Sequence, residues 1–140
     1  MPAAACGYGW RRRETLQCGM ADHTRLIVWQ RAHALSLTVH RLAPALGPRK
    51  APGLASQLMR ATDAIAANIA EGAGQEHRAQ FARFLGIAIA SAHEVENHLA
   101  LAMDLGLLRG DLPVVIAELQ DVRRMLYGLR KRIRDDPNRR

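Results

Sequence analysis

The sequence is poor in aromatic and β-branched residues and has no long apolar run. Aromatic residues make up only 4% of the chain, whereas alanine and leucine are abundant. This composition favours helices over sheets, so we expect an all-α protein. No apolar stretch approaches the ~20 residues needed to cross a bilayer, and none follows the three arginines at 11–13 as a secretion signal would require. We therefore expect a cytoplasmic protein without a membrane partner.

Cysteine is nearly absent, and both cysteines, Cys6 and Cys18, lie near the N-terminus. A disulfide framework and a cysteine nucleophile are thereby excluded from the rest of the chain. Residues 1–19 are glycine-rich and lack helical periodicity. We interpret 1–22 as a disordered N-terminal extension; the alternative for 1–19 is a start codon assigned too early.

Proline and glycine interrupt the chain around 44–53, 72–75 and 106–113. The breaks leave four segments of helical length, at 23–43, 53–72, 76–105 and 111–134, the last with Asp111 as its N-cap. Short connections make successive helices antiparallel neighbours. We therefore predict an antiparallel up-down-up-down four-helix bundle over 23–134, followed by a basic tail at 135–140.

The third and fourth segments show the buried side of the predicted bundle. In the fourth, apolar residues recur at alternating spacings of three and four, as in a heptad repeat: Leu112, Val115, Leu119, Val122, Leu126, Leu129 and Ile133. The third has a comparable stripe: Phe81, Phe84, Leu85, Ala88, Ala92, Val95, Leu99 and Met103. These stripes are predicted to face the core.

The second and third segments carry more apolar surface than one stripe requires. The additional residues are Met59, Ala66 and Ala70 in the second segment and Ile87, Ala90 and Leu101 in the third. A helix that is apolar most of the way round is buried on more than one side. We therefore predict a homo-oligomer assembled through helices two and three. The alternative is that alanine-rich faces simply tolerate water.

The stretch SAHEVENHLA, at 91–100, superficially resembles the H-E-x-x-H zinc motif. That motif needs histidines four residues apart, but His98 is five residues after His93, about 140° further round a helix. One helix cannot direct both imidazoles at one ion. Glu94 and His98 can pair, but the Glu-x-x-His pattern of di-iron bundles is missing. We predict no metal and no other cofactor.

Other catalytic patterns are equally incomplete. Gly72-Ala73-Gly74 follows a helix and lacks the later glycine and lysine of a phosphate loop. No serine lies at a strand-to-helix elbow. His33 and His40, near Trp29, form either a site or, in the interpretation we favour, a hydrogen-bonded helix edge. We expect no enzyme.

Three stretches of the chain form a recognisable pattern: LIVWQRAHALSLTVHRL (26–42), LASQLMRATDAIAANIAEGAG (54–74) and FARFLGIAIASAHEVENHL (81–99). The most specific elements of the pattern are Val28-Trp29-Gln30 with Ala32-His33, and the run from Asn68 to Gly72. In these stretches the chain resembles the bacterial four-helix-bundle family called 23S rRNA intervening sequence proteins. The resemblance implies a four-helix bundle that forms a homopentamer and has no established enzymatic activity. It also extends to the accessory variability determinants of diversity-generating retroelements, which bind nucleic acid and a reverse transcriptase through a basic pentameric barrel.

The chain departs from the family pattern in where its basic residues lie. Members often have paired basic residues in helix two, where this chain has Met59-Arg60 and Thr62-Asp63. Members also often have basic residues just after the position of Glu71-Gly72, where this chain has Gln75, Glu76 and His77 before Arg78. Here the positive charge is concentrated at the C-terminus instead. The nucleic-acid surface of the retroelement branch therefore does not transfer directly.

Four polar residues on helices two and three, Asn68, Glu71, Arg60 and Glu94, are interpreted as a structural network. A buried carboxylate without a partner costs several kcal/mol, so Glu71 requires a partner, such as Arg60 or a residue across an interface. In the same interpretation Gly72 ends helix two. A ligand site is the alternative.

The fourth segment is strongly basic toward its end. Residues 123–140 carry eight basic and two acidic side chains, while 20–122 are nearly balanced. We predict a nucleic-acid surface for RNA or DNA, without sequence specificity, formed by Arg123, Arg124, Arg130, Lys131 and Arg134, with Tyr127 adjoining. The alternatives are a solvated helix C-terminus, which favours cations through its dipole, and an oligomeric module that binds a protein partner.

Overall fold

The computed structural model describes residues 22–47, 49–108, 110 and 112–136, and within these ranges all regular secondary structure is helical. The all-α prediction is confirmed, and the predicted helix bounds agree to within a few residues. The four helices are α1 (Ile27–Leu42), α2 (Leu54–Ala73), α3 (Arg78–Asp104) and α4 (Leu112–Asp135). Single 3-10 turns at His23–Arg25 and Ala43–Leu46 flank α1.

Parts of the predicted organisation lie outside the described residues. These are the N-terminal extension up to residue 21, the proposed cap Asp111, and residues 137–140 of the tail. The helix α4 continues through Asp135, one residue into the predicted tail.

Each helix packs against two neighbours, in the ring α1–α2–α3–α4–α1. The apolar stripe of α4 faces the interior of this ring: its first five members, from Leu112 to Leu126, are buried, and Leu129 and Ile133 are half-buried against the core. The heptad pattern therefore identified the packed side of this helix correctly.

The stripe on α3 is confirmed except at its end. Leu85, Val95 and Leu99 are buried, but Met103 is 46% exposed, and Ala102 is buried in its place. A straight helix drifts by about 20° per heptad relative to a repeat of 3.5 residues. Over the 27 residues of α3 this drift carries Met103 away from the core and brings Ala102 into it.

The contacts between α3 and α4 run in opposite order along the two helices. Arg78 Nε donates to the carbonyl of Ile133, at 3.2 Å, at one end of α3. Nearer the other end, Arg123 of α4 pairs with Glu96. The start of α3 and the end of α4 therefore lie together, and this places the basic half of α4 against the first turns of α3.

Gly72 does not end α2, contrary to our interpretation. The helix continues to Ala73, and Gly74 is its C-cap, with its N–H bonded to the carbonyl of Ala70 at 3.1 Å. Gly72 instead lies against α3 at the corner between the two helices.

The surplus apolar surface is distributed differently from the prediction. On α2, Ala66 is buried and Met59 half-buried within the subunit. On α3, by contrast, Ile87 is 40% and Leu101 45% exposed. Of these two helices, α3 therefore carries the large exposed apolar side chains, and within the described residues α2 carries none. Among the described residues, no helix combines the length and the hydropathy that a membrane span requires.

Candidate functional site

The two histidines of the SAHEVENHLA stretch face different neighbours, as their spacing predicted. His98 is buried and its Nε2 lies 3.4 Å from Oε1 of Glu94, one turn earlier on α3. His93 is exposed, with its Nε2 3.3 Å from the hydroxyl of Tyr127 on α4. Within the described part of the chain, no three His, Cys, Asp or Glu side chains are grouped in a way that could hold a metal ion.

His33 and His40 of α1 line one pocket together with Asp63 of α2, but the two imidazoles contact different partners. His33 stacks on Trp29, with ring centroids 4.9 Å apart and an interplanar angle of 9°. His40 lies two turns further along and contacts Asp63 of α2, with both carboxylate oxygens 2.9 Å from its Nε2. His40 therefore ties α1 to α2 at an exposed edge.

The four residues interpreted as a polar network are not connected within the subunit. Asn68 donates to the carbonyl of Ala64 at 2.7 Å, Glu71 accepts from Gln75 at 3.3 Å, and Glu94 contacts His98. Arg60 and Glu71 are separated by three turns of α2, about 16 Å along the axis, which is too far for an ion pair. The bonds of Asn68 and Glu94 stay within their own helices, and the partner of Glu71, Gln75, lies just beyond the end of α2.

Two of the five predicted nucleic-acid residues are already neutralised by carboxylates. Arg123 pairs with Glu96 of α3, and Arg124 pairs with Asp121 one turn earlier on α4. Asp121 also accepts from Arg31 of α1, at 3.1 Å. The hydrogen bond from Arg124 lowers the pKa of the Asp121 carboxyl most, and the hydrogen bond from Arg31 lowers it further. The middle of α4 is therefore electrostatically balanced.

Arg130 is held in a fixed position between α3 and α4. Its Nε donates to the carbonyl of Ala82 at 3.1 Å, and its guanidinium lies against Gly86. A Cβ at position 86 would be only 3.3 Å from Cζ of Arg130. The glycine thus provides the space that lets this side chain lie across α3.

Arg130 and Arg134 line an open groove between α3 and α4, together with Arg83 of α3. The groove has a volume of about 630 Å³, and the rest of its lining is small or apolar: Ala79, Ala82, Gly86, Ile87 and Ala90. Among the described residues, no carboxylate lies within ion-pair distance of these three arginines. We call this surface the arginine groove.

The arginine groove combines predicted and unpredicted residues. Arg130 and Arg134 were predicted from their spacing on α4, and Lys131 lies exposed beside them. Sequence reasoning missed Arg83 and Gly86, which are on the other helix. The isolated glycine within the apolar pattern of α3 was the available signal, because such a glycine in a helix often has a packing reason.

Tyr127 lies on the same side of α4 as the arginine groove. It precedes Arg130 by three residues, and the residue is 49% exposed. Its hydroxyl contacts His93, which follows the groove residue Ala90 by three residues on α3. An exposed aromatic side chain therefore adjoins the end of the groove that is away from Arg134.

Four amphipathic helices packed in a ring around an alanine- and leucine-rich core define a four-helix bundle, here with a basic groove on one face. Residues 24–128 match the family model of the 23S rRNA-intervening sequence protein. The chain belongs to this family, as the resemblance of its helices indicated.

A solved structure supports the same fold. It is a protein of unknown function from the S23 ribosomal protein family of Bacteroides thetaiotaomicron. The two chains are 22% identical, the match covers 75% of this chain and 99% of the other, and the TM-score is 0.70. No match is found among curated proteins.

Proposed function

We propose that the protein is a non-enzymatic, cytoplasmic, oligomeric four-helix bundle that binds RNA or DNA without sequence specificity through the basic end of α4. The observation that carries the proposal is the arginine groove, where Arg83, Arg130 and Arg134 face one open surface and form no ion pair with a carboxylate of the described residues. Guanidinium groups present a planar fork of donors that matches phosphate oxygens. Contacts to phosphates alone give affinity without reading the base sequence.

Three of the proposed contact residues, Arg130, Lys131 and Arg134, were predicted from the sequence, and Arg83 is added by the structure. Binding a phosphate through Arg123 or Arg124 would require breaking an existing pair with Glu96 or Asp121. Arg130, Lys131 and Arg134 form no ion pair within the part of the chain that the structure describes, so no such pair has to be broken there, and Arg83 joins them from α3. Positive charge near the N-terminus of α3 is reinforced by the helix dipole there.

The proposed assembly is an antiparallel up-down-up-down bundle that forms a homo-oligomer, a pentamer by the family resemblance. The support from this chain is the exposed apolar surface of α3 beyond the arginine groove, where Leu101 remains accessible. A ring of subunits would repeat the arginine groove on each copy. Several weak phosphate contacts on one nucleic acid then add to a useful avidity.

A salt titration tests the proposed function. Binding of labelled RNA and duplex DNA, measured by fluorescence anisotropy, is expected to weaken steeply as salt rises, because each phosphate contact releases counterions. Replacing Arg83, Arg130 and Arg134 together by glutamine should reduce the slope of log K against log salt by roughly 0.7–0.9 for each phosphate that is no longer neutralised. A matched control replaces three exposed arginines elsewhere, Arg41, Arg49 and Arg60, and should retain most of the slope. Failure to bind at low salt would refute the proposal.

The second candidate function is a module that presents an oligomeric surface to a protein partner, with no nucleic-acid role. The observation that favours it is the exposure of Leu101, Met103 and Leu105 at the C-terminal end of α3, away from the arginine groove. Apolar side chains are typical of protein contact surfaces when they cluster. Absence of nucleic-acid binding at low salt would leave this function as the better explanation.

A further inference from the structure

We propose that the arginine groove binds single-stranded nucleic acid, with its arginines on the phosphodiester backbone and Tyr127 stacked on a base. This inference rests on the proposed function and makes it more specific, since phosphate contacts alone do not distinguish a single strand from a duplex. The preference for a single strand over a duplex is inferred from two features other than charge: the apolar floor of the groove and the exposed tyrosine at its end.

The first step is the position of Arg130. Its Nε is already used by the carbonyl of Ala82, and its guanidinium rests against Gly86, so the side chain is restrained before any ligand arrives. A donor that is fixed in advance loses little conformational entropy on binding. Arg83 and Arg134 are exposed on the two sides of the groove and supply further donors for the same backbone.

The second step is the floor of the groove. Ala79, Ala82, Ile87 and Ala90 offer no side-chain hydrogen bond to a phosphate or to the edge of a base. A duplex would place its charged phosphates on this apolar floor, because its bases stay stacked inside the double helix. An unpaired base, by contrast, has an apolar face that can cover Ile87 and Ala90. The mixed lining thus suits a strand with accessible bases.

The third step is Tyr127. On a helix, residues three apart have Cβ atoms about 5–6 Å from each other, so Tyr127 and Arg130 are neighbours on the surface of α4. The contact between the Tyr127 hydroxyl and Nε2 of His93 restrains the ring from one edge, and nearly half of the side chain stays accessible. A basic groove followed by an aromatic side chain is the arrangement by which proteins bind single strands without sequence preference.

The experiment compares a fluorescently labelled oligo(dT) of about 12 nucleotides, within the range covered by known single-strand sites, with a labelled G·C-rich hairpin whose stem of about 12 base pairs stays double-stranded in the same low-salt buffer. We expect the full-length protein to bind the single strand more tightly than the duplex. Replacing Tyr127 by alanine should weaken single-strand binding about tenfold and change duplex binding little, while Tyr127→Phe, which keeps the ring, should stay near wild type.

A second variant tests the groove without changing its charge. Gly86→Leu places a side chain where the Arg130 guanidinium now lies and fills part of the floor, and leucine is a stronger helix former than glycine. We expect the variant to remain folded by circular dichroism and to bind oligo(dT) at least tenfold more weakly. Gly128→Leu on α4, where a Cβ would meet no atom within 4 Å, is the matched control and should bind as wild type does.

The outcomes separate this inference from the proposed function. If neither nucleic acid binds, both fail together. If the duplex binds as tightly as the single strand, and Tyr127→Ala and Gly86→Leu leave both affinities unchanged, the groove is not a single-strand site. The salt-dependent nucleic-acid binding of the proposed function would then still stand.

Discussion

Gly72 of α2 and Phe81 of α3 are so close that no side chain fits between them. A Cβ built on Gly72 would lie 2.7 Å from Cδ2 of Phe81 and 2.9 Å from Cβ of Phe84. Both distances are shorter than carbon atoms tolerate without a shift. The glycine therefore allows the close approach of α2 and α3 beside the connection that joins them, and this accounts physically for one of the residues by which the chain resembles its family.

Replacing Gly72 by alanine is expected to destabilise the fold even though alanine is the better helix former. The Phe81 ring can rotate, but Cβ of Phe84 is attached to the backbone of α3, so relief requires the helices to separate. Overpacking of this kind costs roughly 1–3 kcal/mol in the free energy of unfolding. Urea denaturation followed by circular dichroism measures the change.

Gly128→Ala on α4 is the control for Gly72→Ala. Gly128 is also inside a helix, but a Cβ there would meet no atom within 4 Å. The gain in helix propensity, about 1 kcal/mol, should then appear without a packing cost. Equal effects of the two substitutions would contradict the close approach at Gly72.

Asp121 is expected to make a pH-dependent contribution to stability. Hydrogen bonds from Arg124 and Arg31 lower the pKa of its carboxyl in the folded chain below the ordinary value near 3.8. Because the folded pKa is the lower one, the stabilisation is fully present above the unfolded pKa and is lost as the pH falls through the folded pKa. The melting temperature of Asp121→Asn should therefore lie below that of wild type at neutral pH; the difference should begin to shrink as the pH falls below about 3.8 and should vanish only below the folded pKa.

An Arg31 variant tests whether the lower melting temperature of Asp121→Asn comes from the lost hydrogen bonds of the Asp121 carboxylate. Arg31 joins α1 to both Glu118, at 2.8 Å, and Asp121, at 3.1 Å. In Arg31→Gln the Asp121→Asn substitution should have a smaller effect at neutral pH, because one of the two hydrogen bonds that lower the pKa is already gone. An undiminished effect would mean that Arg124 alone accounts for the shift.

The sequence sufficed for the parts of this structure that follow from local periodicity. The apolar residues of α4 from Leu112 to Leu126 are spaced three and four apart, and residues with that spacing lie on one face of any α-helix. The side of α4 that faces the core could therefore be predicted. The exposure of Met103 was missed because the drift of the stripe depends on how far α3 winds relative to its neighbours.

The candidate site was predictable only on one helix. The spacing of Arg130 and Arg134 placed them on one side of α4, but nothing in a single sequence states which residues of α3 face them. Arg83 and Gly86 join the groove through the register of the two helices. The pairing of Arg123 with Glu96 depends on the same register, so the sequence alone could not separate neutralised arginines from unpaired ones.

Ser36 gives a prediction about the buried side of α1. Ser36 is buried, and within the described structure its hydroxyl oxygen has no hydrogen-bond partner. A buried hydroxyl without a partner costs roughly 1–3 kcal/mol in forfeited hydration. Ser36→Ala is therefore expected to raise the free energy of unfolding, by about 1 kcal/mol once the packing of the missing oxygen is included.

Thr38 provides the comparison for Ser36. Its hydroxyl donates to the carbonyl of Ala34 at 3.1 Å and is only half-buried, so Thr38→Ser should change stability little. A loss of stability in Ser36→Ala would show that the Ser36 hydroxyl is satisfied in solution.

The exposed apolar side of α3 predicts how the proposed oligomer can be disrupted. Leu101 is 45% exposed on a helix whose opposite side is packed in the core. If copies associate through this side, a glutamate there places an unpaired charge in the interface, which is costly to desolvate. Leu101→Glu should therefore reduce the mass measured by light scattering from a multiple of 15.5 kDa toward that of one subunit. Val114→Glu, at a more exposed apolar position of α4, introduces the same charge and should leave the mass of the assembly unchanged. A wild-type protein that scatters as one subunit at micromolar concentration would refute the association through α3.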